Sequence, residues 1–310
     1  MKSIVFLVIF IVCSFFSIAQ NVNEIKVVEG KVIRHTNFNS KFVNVRNVDV
    51  WLPKNYSNQK KYAVLYMHDG QMLFDTSNAW NKQEWGIDEA MSDLLHQQKI
   101  KNCIVVGIWN DSKNRHIDYF PQKPFEALTK AEQDTMYAAN RQNGNSVFSG
   151  KVQSDNYLKF LVYELKPFID KKFATNKTPA ATFIAGSSMG GLISIYALCE
   201  YPNIFGGAAC LSTHWPGIFN ADNPFPKVMQ VYLKTHLPKA KNHKIYFDYG
   251  TETLDAMYEP FQLQVDSIMM SKTYSIKNND WKTKKFEGEN HSELAWRKRV
   301  KIPLEFLLRK

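Results

Sequence analysis

An α/β three-layer sandwich around a mostly parallel sheet is the fold class this sequence predicts. Short, nearly continuous apolar runs at 62–67, 103–109, 181–185, 208–212 and 244–249 read as strands buried on both faces. The segments between them carry apolar residues at helical spacing, so strand and helix alternate as a parallel sheet requires. A third observation sets the edge: 24–52 alternates apolar and polar residues, most clearly over 43–50, as half-buried antiparallel strands do.

The elements follow in order. Pro53-Lys54-Asn55-Tyr56 makes a turn before the first buried strand, and a helix over 85–98 separates it from the second. The stretch 111–150 breaks the alternation, with polar turns and one helical pattern near 130–140. A connection that long is usually functional, and it predicts a cap-like insertion over the active site. Regularity resumes with an amphipathic helix over 155–172, which Ser154 or Asp155 is placed to cap. Helices over 192–198, 228–236, 260–271 and 294–308 and a strand over 281–287 complete the chain. Ligands of such sheets bind beyond the carboxyl ends of the strands.

The first 19 residues have the pattern of a secretory signal peptide: Lys2, an apolar stretch over 4–16, then small residues at Ser17 and Ala19. The apolar stretch is shorter than the roughly 20 residues of a membrane span. The expected mature protein is a secreted or periplasmic single domain, 20–310, with 111–150 as its cap and no stable membrane insertion. The net charge of +10 is scattered, with only short clusters such as Lys282, Lys284 and Lys285, and no nucleic-acid motif accompanies it. Cys103, Cys199 and Cys210 read as buried thiols, with a Cys199–Cys210 bridge left open. No CxxC or zinc spacing is present, and no metal or organic cofactor is implied.

Gly186-Ser187-Ser188-Met189-Gly190 lies between an apolar run and a helical pattern. G-x-S-x-G at a strand-to-helix junction is the nucleophile elbow, a tight turn that exposes one serine Oγ. Ser188 is therefore the candidate nucleophile. Of the histidines well downstream, His236 falls in a helix and His243 leads into a strand. His291 sits in the loop Gly288-Glu289-Asn290-His291-Ser292 between the last strand and the last helix, where an imidazole can lean back as general base. The orienting acid is open among Asp255, Glu252 and Asp248, with a Ser-His dyad as the remaining case. Met189 N–H and the turn His68-Asp69-Gly70-Gln71 offer oxyanion donors, with Gln71 N–H favoured because Gly70 would let the backbone approach the substrate. His68 reads as structural or pocket-lining. Tyr119 and Trp215 are candidates for stacking on a substrate ring, and Arg115 for holding an anionic group.

Together, Met67 to Gln71, the 110–121 stretch with Arg115 and Tyr119, Gly186 to Gly191 and the 288–296 segment resemble the Putative esterase family of α/β-hydrolases. That family includes enterochelin esterases, feruloyl and acetyl-xylan esterases of carbohydrate esterase family 1, S-formylglutathione hydrolases and mycolyltransferases. The resemblance spans roughly 30–310. It implies Ser188 as nucleophile, His291 as base and Gln71 and Met189 as oxyanion donors. Several members carry an aspartate where this chain has Thr253, so the acid must move to Asp255 or Glu252, or be absent. The expected activity is serine ester hydrolysis on a small-molecule or carbohydrate ester, of acetyl or feruloyl type. Hydrolysis of a siderophore trilactone and acyl transfer on the same site are the alternatives. A non-catalytic binding protein on this scaffold would leave an active-site serine probe unreacted. An amide in place of the acid is expected to cost less than loss of Ser188 or His291.

Overall fold

The computed structural model describes residues 25–141 and 143–310; the expected signal peptide lies outside them. The chain opens with β1 (Lys31–Phe38), β2 (Arg46–Leu52), β3 (Ala63–His68), α1 (Ile87–His96) and β4 (Cys103–Ile108). Three short helices follow, α2 (Arg115–Tyr119), α3 (Gln122–Glu126) and α4 (Lys130–Tyr137). After them, α5 (Ser154–Lys159) runs through one π-helical stretch, Phe160–Leu165, into α6 (Lys166–Lys172). The second half contains β5 (Thr182–Ser187), α7 (Met189–Glu200), β6 (Gly207–Leu211), α8 (Phe225–His236), β7 (Lys244–Gly250) and α9 (Glu259–Ser271). It closes with β8 (Trp281–Phe286), α10 (Glu293–Arg299) and α11 (Lys301–Leu308).

Among the described residues eight strands form one sheet, ordered β1-β2-β4-β3-β5-β6-β7-β8. β1 and β2 pair antiparallel, β2 meets β4 antiparallel, and every later pair is parallel. The expected class and its antiparallel edge are what the structure shows. Side-chain alternation divides the core in two: Val64 and Tyr66 of β3 join one layer, and Ala63, Leu65 and Met67 join the other. α7 is buried from Met189 to Cys199, as a helix that is apolar all round must be. It packs on β5 and β6 and beneath α2 and α8. The closing helix expected over 294–308 is split at Val300. Pro303 explains the break, because it lacks an N–H for the preceding turn and its ring crowds the carbonyl four residues back.

The 111–150 segment folds as three short helices tied firmly to the sheet. Arg46 of β2 meets Asp118 of α2 at 3.0 Å, with both side chains buried, and Gln153 bonds the other oxygen of Asp118 at 2.8 Å. Truncating one partner of such a pair leaves an uncompensated buried charge. The segment is thus part of the folded body rather than a removable flap. Cys103, Cys199 and Cys210 are all free and buried. No helix among the described residues is long and apolar enough to cross a membrane.

Candidate active site

Four loops at the carboxyl ends of the parallel strands converge. β5 ends in the Gly186–Gly190 turn, where the chain reverses so tightly that a Cβ on Gly186 would lie 2.7 Å from the carbonyl carbon of Gly190. Ser188 takes φ 56° and ψ −121°, a conformation non-glycine residues rarely adopt and which costs about 1–3 kcal/mol. Its N–H donates to Leu211 O at 2.8 Å, locking the turn to β6. The strain leaves Ser188 partly exposed between buried neighbours, on the wall of a cleft of about 1270 Å³ that also holds His291.

β7 leads into a 3-10 turn, Thr253–Met257, entered with Thr253 at φ 55°. This turn points Asp255 inward and leaves Glu252 exposed. Asp255 Oδ1 lies 2.5 Å from His291 Nδ1. Its other oxygen accepts from Ser212 Oγ and Gly250 N, both at 2.6 Å. Burial raises the Asp255 pKa, but the bond and charge of His291, with those two donors, outweigh it and hold the carboxyl below its usual value. Thr253 Oγ1 accepts the His291 backbone N–H at 3.0 Å, so the position that differs from the family pattern still anchors the histidine. Asp248 is engaged elsewhere, bonded to Arg299 at 3.0 Å. Behind the pair, Ser212 Oγ accepts from Trp296 Nε1 at 3.0 Å and from Arg299 at 2.9 Å. Sequence reasoning missed this buried layer.

The Met67–Gln71 turn supplies the opposite wall. Asp69 adopts φ 59° and begins a 3-10 turn, Gly70–Met72. Gln71 and Met189 each lie in the first turn of a helix, where N–H groups have no intrahelical acceptor, and both line the cleft. Gly70 serves packing rather than substrate approach, which corrects the sequence reading. A Cβ there would fall 2.5 Å from the carbonyl carbon of Gly107 on β4.

Three substrate-contact expectations change. Arg115 lines the cleft, but its guanidinium is committed to Asp69 in a two-point bond, 2.8 Å through Nε and 2.7 Å through the second nitrogen. Asn110 adds a bond of 2.6 Å. Burial raises the Asp69 pKa, yet the Arg115 charge and these bonds leave it below the usual range. Arg115 therefore braces the Gln71 turn. Tyr119 is wholly buried against His68 and Tyr157. Trp215 is buried too, its Nε1 bonded to Gln262 at 2.9 Å. Neither lines the cleft, because Tyr119, at the end of α2, and Trp215, beyond β6, are both packed into the core. His68 bonds Tyr157 at 2.7 Å and burial pushes its pKa down to about 3, which suits a neutral structural group. The aromatic residues that do line the cleft include Trp80, 79% exposed, and Trp109. Among the described residues, no group of three or more His, Cys, Asp or Glu is placed to hold a metal ion.

Comparison with known proteins adds the family. Residues 40–301 match the family model described as "Putative esterase". The uncharacterized protein YjcH of Bacillus subtilis is 27% identical over 158 residues, 51% of this chain and 51% of that protein. The endo-1,4-beta-xylanase/feruloyl esterase of Xylanibacter ruminicola is 28% identical over 192 residues, 59% of this chain and 22% of that protein. The chain spans about half the length of the Bacillus subtilis relatives it matches. Two solved structures share the fold. The ferulic acid esterase AmCE1/Fae1A of Anaeromyces mucronatus has a TM-score of 0.61 at 17% identity, covering 90% of this chain and 92% of its own. The enterobactin esterase FES of Shigella flexneri has a TM-score of 0.56 at 16% identity, covering 92% and 60%.

Proposed function

The protein belongs to the Putative esterase family, and on that premise we propose that it is a serine ester hydrolase working through an acyl-enzyme on Ser188. In this reading His291 takes the serine proton as Oγ attacks the ester carbonyl, then returns it to the leaving alcohol. Asp255 holds His291 in the tautomer with the proton on Nδ1, leaving Nε2 free to accept. The N–H groups of Met189 and Gln71 receive the developing oxyanion. Water, activated by the same imidazole, releases the acid. The observation that carries the reading is the 2.5 Å contact between Asp255 and His291 on a cleft shared with a strained, partly exposed serine.

The preferred substrate is a carbohydrate-linked ester of acetyl or feruloyl type. Two features support it: likeness to the xylanase/feruloyl esterase, and a cleft larger than the roughly 300–1,000 Å³ of a typical small-molecule site. The sequence features at 1–19 support secretion or a periplasmic location, with 20–310 as one esterase domain. The test is turnover by 20–310 and by Ser188→Ala on p-nitrophenyl acetate, methyl ferulate, acetylated xylan and a catecholate trilactone. Turnover abolished by Ser188→Ala is expected, with the sugar-linked esters favoured. Preference for the trilactone selects the siderophore reading, and acyl products on an added sugar alcohol select transfer. No turnover and no fluorophosphonate labelling of Ser188 overturn the enzyme reading.

A further inference from the structure

Of the seven tryptophans only Trp80 is left in solvent; Trp109 is half-buried and the others are buried. Trp80 lies in the loop between β3 and α1, and that loop is closed on itself. Trp85 N–H donates to Met72 O at 2.9 Å, which brings its ends together; compact loops of this kind are frequently functional. Both ends join the walls of the active site. Met72 directly follows Gln71, and the Trp85 ring packs on Trp296 with centroids 5.2 Å apart. Trp296 in turn stands edge-on to His291 at 5.0 Å. On one side of Trp80, Ala79 is buried. On the other, Asn81 Nδ2 donates at 2.7 Å to Glu293, which follows His291 by two residues. Anchored neighbours thus hold an indole out into the cleft that contains Ser188 and His291.

We propose that Trp80 is the platform of a distal sugar subsite, on which a neutral pyranose ring of a glycan chain stacks while an ester elsewhere on that chain reaches Ser188. This rests on the reading of Ser188 as the nucleophile of an ester hydrolase. The chemistry of the wall selects the ligand. A pyranose presents C–H groups on its face, and these meet the negative face of an aromatic ring favourably. Its hydroxyls project around the edge, where each can donate and accept. Side-chain amides do the same, and Asn78, Asn81 and Gln83 of this loop all line the cleft. Asn81 gives one N–H to Glu293 and accepts Gln83 N at 3.1 Å, which fixes its plane and leaves a second N–H and lone pair for a hydroxyl. The charges behind Trp109 are already matched. Arg34 lies 4.6 Å from the Trp109 ring centroid and bonds Asp49 at 2.8 Å, and Asp49 also accepts Trp109 Nε1 at 2.8 Å. A neutral ligand suits that pairing. A lone aromatic acyl group would call for an enclosed slot, since small-ligand sites bury most of the ligand's surface. A chain already held at its ester needs only one ring face covered, and the second contact adds to the first.

The test has a binding arm and a kinetic arm, each comparing Trp80→Ala and Trp80→Phe with the wild type. For binding, the proteins run toward the cathode in native gels containing unesterified xylan, mannan, starch or β-glucan, with polygalacturonate as the charged control. At least one neutral glycan should retard the wild type, and Trp80→Ala should lose that retardation. For kinetics, the readout is kcat/KM on the acetylated form of the retarding glycan divided by kcat/KM on p-nitrophenyl acetate. Trp80→Ala should lower this ratio about tenfold, mostly through KM, the scale of one stacked ring. Trp80→Phe keeps a ring and should recover most of both effects. Retardation by none of the neutral glycans overturns the proposal, as does retardation that persists in Trp80→Ala. Equal kinetic losses on the glycan ester and on p-nitrophenyl acetate also overturn it. Retardation by polygalacturonate alone does so too, and marks attraction by net charge. The binding arm needs no turnover. Wild-type protein that neither labels with a fluorophosphonate nor turns over any ester therefore refutes the hydrolase reading, while the gels still decide the sugar platform.

Discussion

Replacing Asp255 with asparagine should be more damaging to catalysis than replacing it with alanine. The argument is one of donors and acceptors. In the wild type the Asp255 carboxylate only accepts: one oxygen faces His291 Nδ1 at 2.5 Å, and the other receives Ser212 Oγ and Gly250 N, each at 2.6 Å. Asparagine keeps one acceptor and turns the other position into an NH2 donor. The backbone N–H of Gly250 cannot reverse its role, so the asparagine oxygen must occupy that side. The NH2 group is left facing His291 Nδ1. There it compels Nδ1 to accept, and the imidazole proton moves to Nε2, the nitrogen that should receive the serine proton.

A histidine held in the wrong tautomer costs about 10⁴-fold in kcat in the serine protease precedent, or about 5.4 kcal/mol at 1.36 kcal/mol per decade. Asp255→Asn should therefore fall about 10³–10⁴-fold on p-nitrophenyl acetate, close to His291→Ala. Asp255→Ala imposes no tautomer and should lose less activity. Its penalty appears in stability, because Gly250 N–H and Ser212 lose their acceptor, at about 1–3 kcal/mol for each buried group left unpaired. Kinetics on both variants, thermal unfolding, and ¹⁵N chemical shifts of the His291 ring check the three parts. Asp255→Asn within tenfold of wild type, or slower turnover by a folded Asp255→Ala, would refute the reasoning. The sequence alone suggested that the amide would be the mild substitution; the two donors on the far oxygen reverse that expectation.

Two further outcomes follow from the geometry. Ser188→Gly should be inactive yet more stable than Ser188→Ala by about 1 kcal/mol, because only glycine takes φ 56° and ψ −121° without a Cβ clash; equal urea midpoints for the two would argue against stored strain. Asp88 is buried with Oδ2 on Val28 N at 2.6 Å, and burial, with Glu89 adding to it, raises its pKa to about 7. The unfolded carboxyl titrates near ~3.9, so between those values the folded state binds more protons and stability falls as pH rises. Asp88→Asn keeps an acceptor for Val28 N–H without the charge. It should gain about 1–3 kcal/mol over wild type at pH 8 and little near pH 4, and a gain independent of pH in urea titrations would contradict the assignment.

What could be read from the sequence was whatever is fixed locally. Buried strands announce themselves by apolar runs, and the elbow by two glycines around a serine at a strand end. His291 was visible because it occupies the loop between the last strand and the last helix. The acid was not legible to the same degree. Glu252, Thr253 and Asp255 lie in one short turn, and which carboxylate faces inward depends on Thr253 adopting φ 55°, a choice no residue pattern announces. The surroundings of Arg115, Tyr119 and Trp215 were not legible for a related reason. Arg115 and Tyr119 belong to α2 and Trp215 to the loop beyond β6; Arg115 lines the cleft but is tied to Asp69, the other two are packed in the core, and the deciding partners, Asp69, His68 and Gln262, are 46, 51 and 47 residues away in sequence. Ser212 was overlooked because it looks like an ordinary loop residue until β6 and β7 stand side by side and bring it to Asp255. Parallel pairing is what makes such sites: it gathers chain segments dozens of residues apart at one edge, so the chemistry of a strand-end residue is settled by its neighbouring strand.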